Sequence, residues 1–414
     1  MPDRCVSDSG SPLLSLERAV QEILSRVRPV QGREQVAIDL AGGRVLAEDL
    51  HSPIDSPPFA NAAMDGYALR SSDTETVPAI LRPIGTSWAG RPYRGTVTPG
   101  HCVRIFTGAA LPDGTDAVVM QEEAAHEQDR IILSRRVASQ EFVRAAGRDL
   151  SSGQRALARG KRLSSVDVGL IAGLGFSEIT VYRRVRAAVL STGDELRPPG
   201  SALEFGEIYD GNRFAVKSFL SALGVEITDL GALADDPTTL RDTLTEASRS
   251  SDVMITIGGA SVGDADHLVP VLHTLGRVDL WKVAIKPGKP FAFGQIGDSY
   301  VFGLPGNPVS AIVTFLQIVR PALLQIMGAE YETALRLRAR AGARIVKAAG
   351  RMEFQRALFT ADGDGTFTAI PLAGQEADRL VPLAAANCLL RLPADSLGVE
   401  AGEPVTIEPL INYI

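Results

Sequence analysis

The chain has 414 residues, is 45% hydrophobic and 22% charged, and carries a formal charge of −7 with no long run of either sign. That balance excludes the basic footprint of a nucleic-acid binder and a polybasic membrane patch, so a small ligand or a protein partner is expected. Cys5, Cys102 and Cys388 are too few, too far apart and odd in number for a disulfide framework or a cysteine-based zinc site, and the expected compartment is a reducing cytoplasm.

The length predicts two to four domains, and 40 Gly with 25 Pro predict many turns rather than disorder. The opening MPDRCVSDSGSP has no apolar run of the secretory kind. SLERAVQEILSRV follows, with Ser15 as N-cap and Leu16, Ala19, Val20, Ile23, Leu24 and Val27 on one helical face. The Pro-rich SPIDSPPF (52–59) marks a boundary near 52. Short runs such as VPAILRPIG, HCVRIFTG, DAVVMQE and DRIILSRRV then predict a β-rich unit over 53–147. In 148–184, Ser164 and Asp167 form a capping box ahead of a helix ending near Gly175, and EITVYRRV reads as a strand. Segments 1–52 and 148–184 are expected to join as one linker and dimerisation unit of mixed structure.

From 185 to about 330 the rhythm is strand, loop, helix. RAAVLST, VEITDLGAL and DVMITIGG read as strands, and RFAVKSFLSALG, DPTTLRDTLTEASRS and DADHLVPVLHTLG as helices. The expectation is an α/β domain with a mostly parallel sheet covered by helices. The apolar NPVSAIVTFLQIV (307–319) is too short to span a bilayer and reads as a buried helix. Residues 331–414 alternate as β and predict a C-terminal β-barrel-like domain. The fold class is therefore multi-domain α/β plus β.

Ligands of such sheets gather beyond the carboxyl ends of the strands, and the loops there are rich in acids. Asp194 and Glu195 follow the first strand, Asp235 and Asp236 the second, and Asp264 and Asp266 the third. Gly258 and Gly263 have phosphate-loop spacing, but the lysine of that motif is missing. Carboxylates beside a glycine cradle suit a phosphate escorted by Mg²⁺, a hard cation that prefers oxygen ligands, with Gly258 and Gly259 letting backbone approach closely. The bland alternative is that each acid caps a helix, as Asp235 or Asp236 before Pro237 would do. The run WKVAIKPGKPFAFG adds Lys282, Lys286 and Lys289, with Pro287, Gly288 and Pro290 shaping a turn, and a positive cluster there suits an oxyanion. The five histidines lack metal-ligand spacing, and no nucleophile-elbow motif is present.

Seven motifs in order, NAAMDGYA (61–68), RIFTGA (104–109), STGDEL (191–196), YDGNR (209–213), GGASVGDAD (258–266), KPGKPFAFG (286–294) and LPGNPVS (304–310), closely resemble the molybdopterin molybdenumtransferase (MoeA) family, to which the C-terminal part of gephyrin is related. The resemblance covers nearly the whole chain. It implies a homodimer of four-domain subunits and Mg²⁺-dependent insertion of molybdate into adenylylated molybdopterin with release of AMP. It also implies transient contacts with other proteins of cofactor synthesis.

By the same resemblance the catalytic set is Asp65, Glu195, Asp235 and Asp266, with Asp65 reaching the cleft from the second subunit and the last three holding the metal. Thr107, Asp149 and the loop Gly258, Gly259 and Ser261 would bind substrate, and Lys282, Lys286, Lys289, Pro290, Ser310 and Arg356 would surround the oxyanion. One departure stands out: Glu376, Ala377 and Asp378 occupy a stretch where family members usually carry a serine. A gephyrin-like scaffold and a Mg-dependent phosphohydrolase are the alternative readings.

Overall fold

The computed structural model describes residues 4–6, 12–259, 267–330 and 333–410. Helix Leu16–Arg26 starts where the sequence predicts, with the Ser15 hydroxyl accepting the Arg18 amide at 3.3 Å. Its buried face, Leu16, Ala19 and Ile23, packs against the helix near 320. Strand Arg33–Ala37 pairs antiparallel with Glu178–Tyr182, and Leu50–His51 with Arg155–Leu157, so segments flanking the 53–147 stretch meet in space. Helix Ser165–Gly173 carries both hydrogen bonds of the predicted Ser164–Asp167 capping box.

Within 53–147 a six-stranded sheet runs in the order Ala124–Glu127, Arg130–Leu133, Ala79–Ser87, His101–Ile105, Gly66–Leu69, Ala117–Met120. Its core gathers Tyr67, Leu69, Leu81, Ile131 and Leu133.

The central sheet has the order Glu226–Leu233, Arg186–Thr192, Val253–Ile257, Ser299–Leu304, Pro290–Ile296, Arg277–Lys282. The first four strands are parallel, and the last two add antiparallel pairings at one edge. The continuous apolar run of 186–192 is explained by burial on both faces. Ala187 and Val189 join the core under helices Gly211–Leu223 and Pro308–Thr314, whereas Ala188 and Leu190 join the core under Pro237–Ala247 and Leu268–Leu275. Each fully buried Val or Leu contributes roughly 1.5–3 kcal/mol, so this strand leaves its register little freedom to slip. From 186–192 the chain steps to 226–233 on one side and then crosses back to 253–257 on the other. A topological switch point, and therefore a crevice, lies between Thr192 and Gly258.

The apolar helix is longer than the sequence predicts. It continues past Pro321 to Ile326, and the stretch Pro308–Ile326 has the length and composition of a membrane span but is 83% buried inside the protein. A π turn over Phe315–Val319 makes the continuation feasible, with the Arg320 amide donating to the Phe315 carbonyl and Pro321 opening the next helical turn, where its missing N–H is least costly.

Beyond residue 333 five strands, Met352–Ala361, Phe367–Pro371, Leu337–Ala341, Pro404–Pro409 and Cys388–Leu392, pair in sequence and close when the first meets the last. This is the expected barrel. Glu408, fully buried at its base, accepts from Gln317 at 2.7 Å, Arg391 at 3.1 Å and Arg336 at 3.3 Å, while Arg391 also holds Glu17 at 2.6 Å. The network fastens barrel, long helix and N-terminal helix together. Glu408→Ala leaves the Arg391 guanidinium buried with half its partners gone and is expected to cost about 3–5 kcal/mol. Urea denaturation followed by circular dichroism checks this, with an unchanged midpoint as the contrary result.

Candidate functional site

A cavity of about 620 Å³ opens at the carboxyl edge of the central sheet, at the switch point. Thr192 ends the strand Arg186–Thr192 and Gly193 and Glu195 follow it, while Asp235 comes from the loop after Glu226–Leu233 and Gly258 and Gly259 from the loop after Val253–Ile257. The Pro305–Ser310 turn supplies another wall, and Leu380 reaches in from the barrel.

Close backbone approach dictates the glycines. Gly258 has φ +90°, and a Cβ there would sit 2.7 Å from the Thr192 carbonyl oxygen. Any side chain at 258 would push the two strand ends apart. Gly259 also has positive φ, +66°. A Cβ on Gly193 would lie 2.6 Å from Glu195 Oε2, so the glycine lets the Glu195 carboxylate fold back over its own loop. The predicted helix after the glycine loop begins only at Leu268, and Ser261, Asp264 and Asp266 lie outside the described residues.

The two acids after the second strand divide their work. Asp236 caps helix Pro237–Ala247, accepting the Thr239 amide at 2.7 Å. Asp235 instead lines the cavity, and its amide donates to Asp194 Oδ1 at 3.1 Å. Burial, with Asp194 and Glu195 adding like charge, pushes the Asp235 carboxyl above its ordinary value. Among the described residues lining the cavity the charged groups are Glu195, Asp235 and Asp210, and no lysine or arginine is present. Asp210 is already neutralised: it caps helix Gly211–Leu223 and accepts from Arg213 Nε at 2.7 Å and from Ser191 at 3.1 Å. Glu195 and Asp235 therefore face the cavity without a cationic partner on its wall. Among the described residues no three His, Cys, Asp or Glu side chains form a group that could hold a metal ion.

Pro290 and Ser310 also line the cavity, but Lys282, Lys286 and Lys289 do not. Lys286 turns to the barrel, where its Nζ lies 3.2 Å from the buried Glu353 carboxylate. Arg356 has no exposed surface, and its guanidinium donates to the carbonyls of Gly374 at 2.5 Å, Gln375 at 3.1 Å and Glu376 at 3.0 Å. Burial lowers its pKa from the usual arginine value. An anion in the cavity would meet these two residues only after they release present partners.

Asp65 and Thr107 come together on the β-rich unit, Asp65 Oδ1 accepting the Thr107 amide at 2.8 Å and its hydroxyl at 2.7 Å. Those bonds hold the Asp65 carboxyl below its usual range. Neither residue, nor the exposed Asp149, lines the cavity of its own chain. Among the lining residues that reasoning from the sequence did not assign to the site are Asn212, whose side-chain amide donates to the Gly306 carbonyl at 2.6 Å, Asn307, and Leu380. The two asparagines sit in motifs that were visible, whereas Leu380 arrives by tertiary packing.

Family models match three consecutive stretches: the MoeA N-terminal region (domains I and II) at 14–175, a probable molybdopterin binding domain at 188–325, and the MoeA C-terminal region (domain IV) at 338–410. A molybdopterin molybdenumtransferase of Haemophilus influenzae is 40% identical over 97% of this chain and all of its own length. The chain belongs to the MoeA family. A Nostoc molybdopterin molybdenumtransferase is 35% identical over 72% of this chain and 70% of its own. The crystal structure of a molybdopterin biosynthesis MoeA protein from Pyrococcus horikoshii superposes with a TM-score of 0.83 at 30% identity, covering 96% of this chain and all of that one. The cavity described above falls mainly in the stretch of this MoeA chain that matches the molybdopterin-binding model.

Asp235 gives a sign-definite test. Its carboxyl pKa is raised in the folded state, so it binds protons more tightly folded than unfolded, and its ionisation opposes folding above the shifted value. Asp235→Asn is expected to melt higher than the parent at pH 7–8 in chelator, with the gain shrinking as the pH falls through the carboxylate range. Thermal melts across pH check this, and a lower melting temperature at neutral pH is the contrary result.

Proposed function

We propose that this chain is a molybdopterin molybdotransferase of molybdenum cofactor biosynthesis, inserting molybdate into adenylylated molybdopterin with release of AMP in the presence of Mg²⁺. The observation that carries the reading is the cavity at the sheet's carboxyl edge, where glycine backbone meets two carboxylates and no lysine or arginine is among the described lining residues. A bare pyrophosphate would be repelled by Glu195 and Asp235. An all-oxygen, negatively charged donor set fits Mg²⁺. Glu195 and Asp235 would hold the ion, with Asp266 as the third ligand that the family resemblance implies. When bound, Mg²⁺ supplies charge stabilisation to the departing phosphate.

The chain's own groups do the rest. Gly258 and Gly259 offer backbone without side chains, so phosphate oxygens can come close to it. Ser310 adds a hydroxyl, and Pro290 and Leu380 supply apolar parts of the boundary. Lys282, which ends the strand paired with Pro290, and Lys289, just before Pro290, would receive molybdate. Lys286 would exchange its ion pair with Glu353 for the oxyanion. No side chain is assigned a covalent role, because bringing molybdate to the dithiolene sulfurs is a matter of positioning.

Asp65 and Thr107 of the β-rich unit, and Asp149 of the linker unit, lie off the cavity of their own chain, which supports a homodimer in which the second subunit completes the site. We read the chain as four units: 1–52 with 148–184, 53–147, 185–330 and 331–414. The buried free thiols of Cys102 and Cys388 fit a cytoplasmic setting.

Incubation with adenylylated molybdopterin while AMP is followed tests the reading. Release is expected only when molybdate and Mg²⁺ are both present, and Glu195→Gln is expected to lower turnover by about a hundredfold. Full release without molybdate would favour the phosphohydrolase, and parental turnover in Glu195→Gln would remove the acidic site.

A further inference from the structure

Beside Asp65 and Thr107 the rim of the β-rich unit carries a stacked aromatic pair. In its sheet Gly66 lies opposite Ile105 and Tyr67 opposite Arg104, while Thr86 and Ser87 run parallel to Arg104 and Ile105. One step further along, the register sets Asp65 and Trp88 on either side of Phe106, and strand alternation sends this row to the face shared by Tyr67 and Arg104. The rings agree: Trp88 stacks on Phe106 with centroids 4.0 Å apart and planes 11° from parallel. The Arg104 guanidinium carbon lies 4.9 Å from the Phe106 centroid and 5.2 Å from that of Tyr67. Inward, this face closes over the buried core of Tyr67 and Leu69, whereas at the rim Trp88 is 47% exposed. A tight turn fixes it there, Trp88 and Arg91 exchanging two backbone hydrogen bonds at 3.0 Å with Gly90 at φ +78° between them.

We propose that the exposed face of Trp88 is a stacking platform for a planar nitrogen heterocycle of the substrate, presented to the cavity of the second subunit together with Asp65 and Thr107. This rests on the reading that the second subunit completes the site and that the substrate is adenylylated molybdopterin, which carries two such rings, a pterin and an adenine. Among the described residues lining the cavity Tyr209 is the one aromatic, and its hydroxyl is bound to the Ser201 carbonyl at 2.8 Å. A substrate with two ring systems therefore finds no second aromatic partner on the described wall of a single chain, and Trp88 supplies one. Covering Phe106 needs only an apolar side chain, whereas an indole backed by a parallel phenyl ring adds a flat, rigid π face that accepts any heterocycle. Asp65 stands across Phe106 from Trp88, two strand spacings or roughly 10 Å away, so the carboxylate and the indole meet different parts of one extended molecule.

The test uses the full chain with Trp88→Ala and Trp88→Phe, and titrates two probes, neopterin and AMP, by calorimetry. One probe is expected to lose about tenfold or more in affinity in Trp88→Ala, which probe it is identifying the ring, while Trp88→Phe stays within about threefold of the parent. Light scattering is expected to show the same assembly state for parent and variants. In turnover, Trp88→Ala is expected to raise the KM for adenylylated molybdopterin by about tenfold and to leave the KM for molybdate unchanged. Binding of neither probe by the parent, or parental affinity for both probes in Trp88→Ala, would overturn the proposal. Loss of both probes together with a change of assembly state would overturn it too, leaving Trp88 as a subunit contact. If the parent chain releases no AMP from adenylylated molybdopterin the activity reading fails, and the probe titrations still decide whether Trp88 is a platform.

Discussion

Two carboxylates that line one cavity at the sheet edge, with no lysine or arginine among the described lining residues, are what the rest of the site must accommodate. Glu195 and Asp235 arrive at the same crevice because their strands are parallel neighbours ending at the same edge, and Asp194 adds a third charge behind them. Burial of Asp235 sharpens the conflict. A folded protein that keeps such charge on the wall of a cavity gives up stability there, and a ligand that brings positive charge recovers it. The same wall is otherwise backbone and small residues, which suits phosphate oxygens once the negative charge is met.

Everything further out serves to bring those few atoms to one place. The switch between neighbouring strands opens the crevice, and Gly258 lets the chain pass the Thr192 carbonyl at a distance no other residue tolerates. Asp236 takes the helix cap, which leaves Asp235 to face inward. Asp210 both caps its helix and holds Arg213, so a third acid at the cavity is structurally satisfied and does not add to the open charge. The barrel is fixed to the long helix and the N-terminal helix through Glu408, and that attachment keeps the Leu380 wall in register with the central sheet.

Much of this was legible in the residues. Helix starts at Ser15 and at Ser164 with Asp167 follow from local hydrogen-bonding chemistry, and the parallel sheet follows from apolar runs too continuous for a half-exposed strand. Glu195, Asp235, Gly258, Gly259, Pro290 and Ser310 do share one cavity. What escaped depends on partners distant in the chain. Nothing in KPGKP announces that Lys286 will pair with Glu353, and nothing in FQRALF announces that Arg356 will be fully buried among loop carbonyls. The helix past Pro321 was hidden for a different reason, since a π turn is a backbone adjustment with no side-chain signature.

The central claim, that Glu195 and Asp235 form the open half of a cation site, is tested most directly by a crystal of this chain grown with Mn²⁺ in place of Mg²⁺ and measured for anomalous scattering. The account predicts a peak in the cavity within roughly 2.0–2.4 Å of carboxylate oxygens from Glu195 or Asp235. Ordered Mn²⁺ elsewhere with that cavity empty, or a phosphate ligand held there by lysines with no metal between it and the acids, would contradict it.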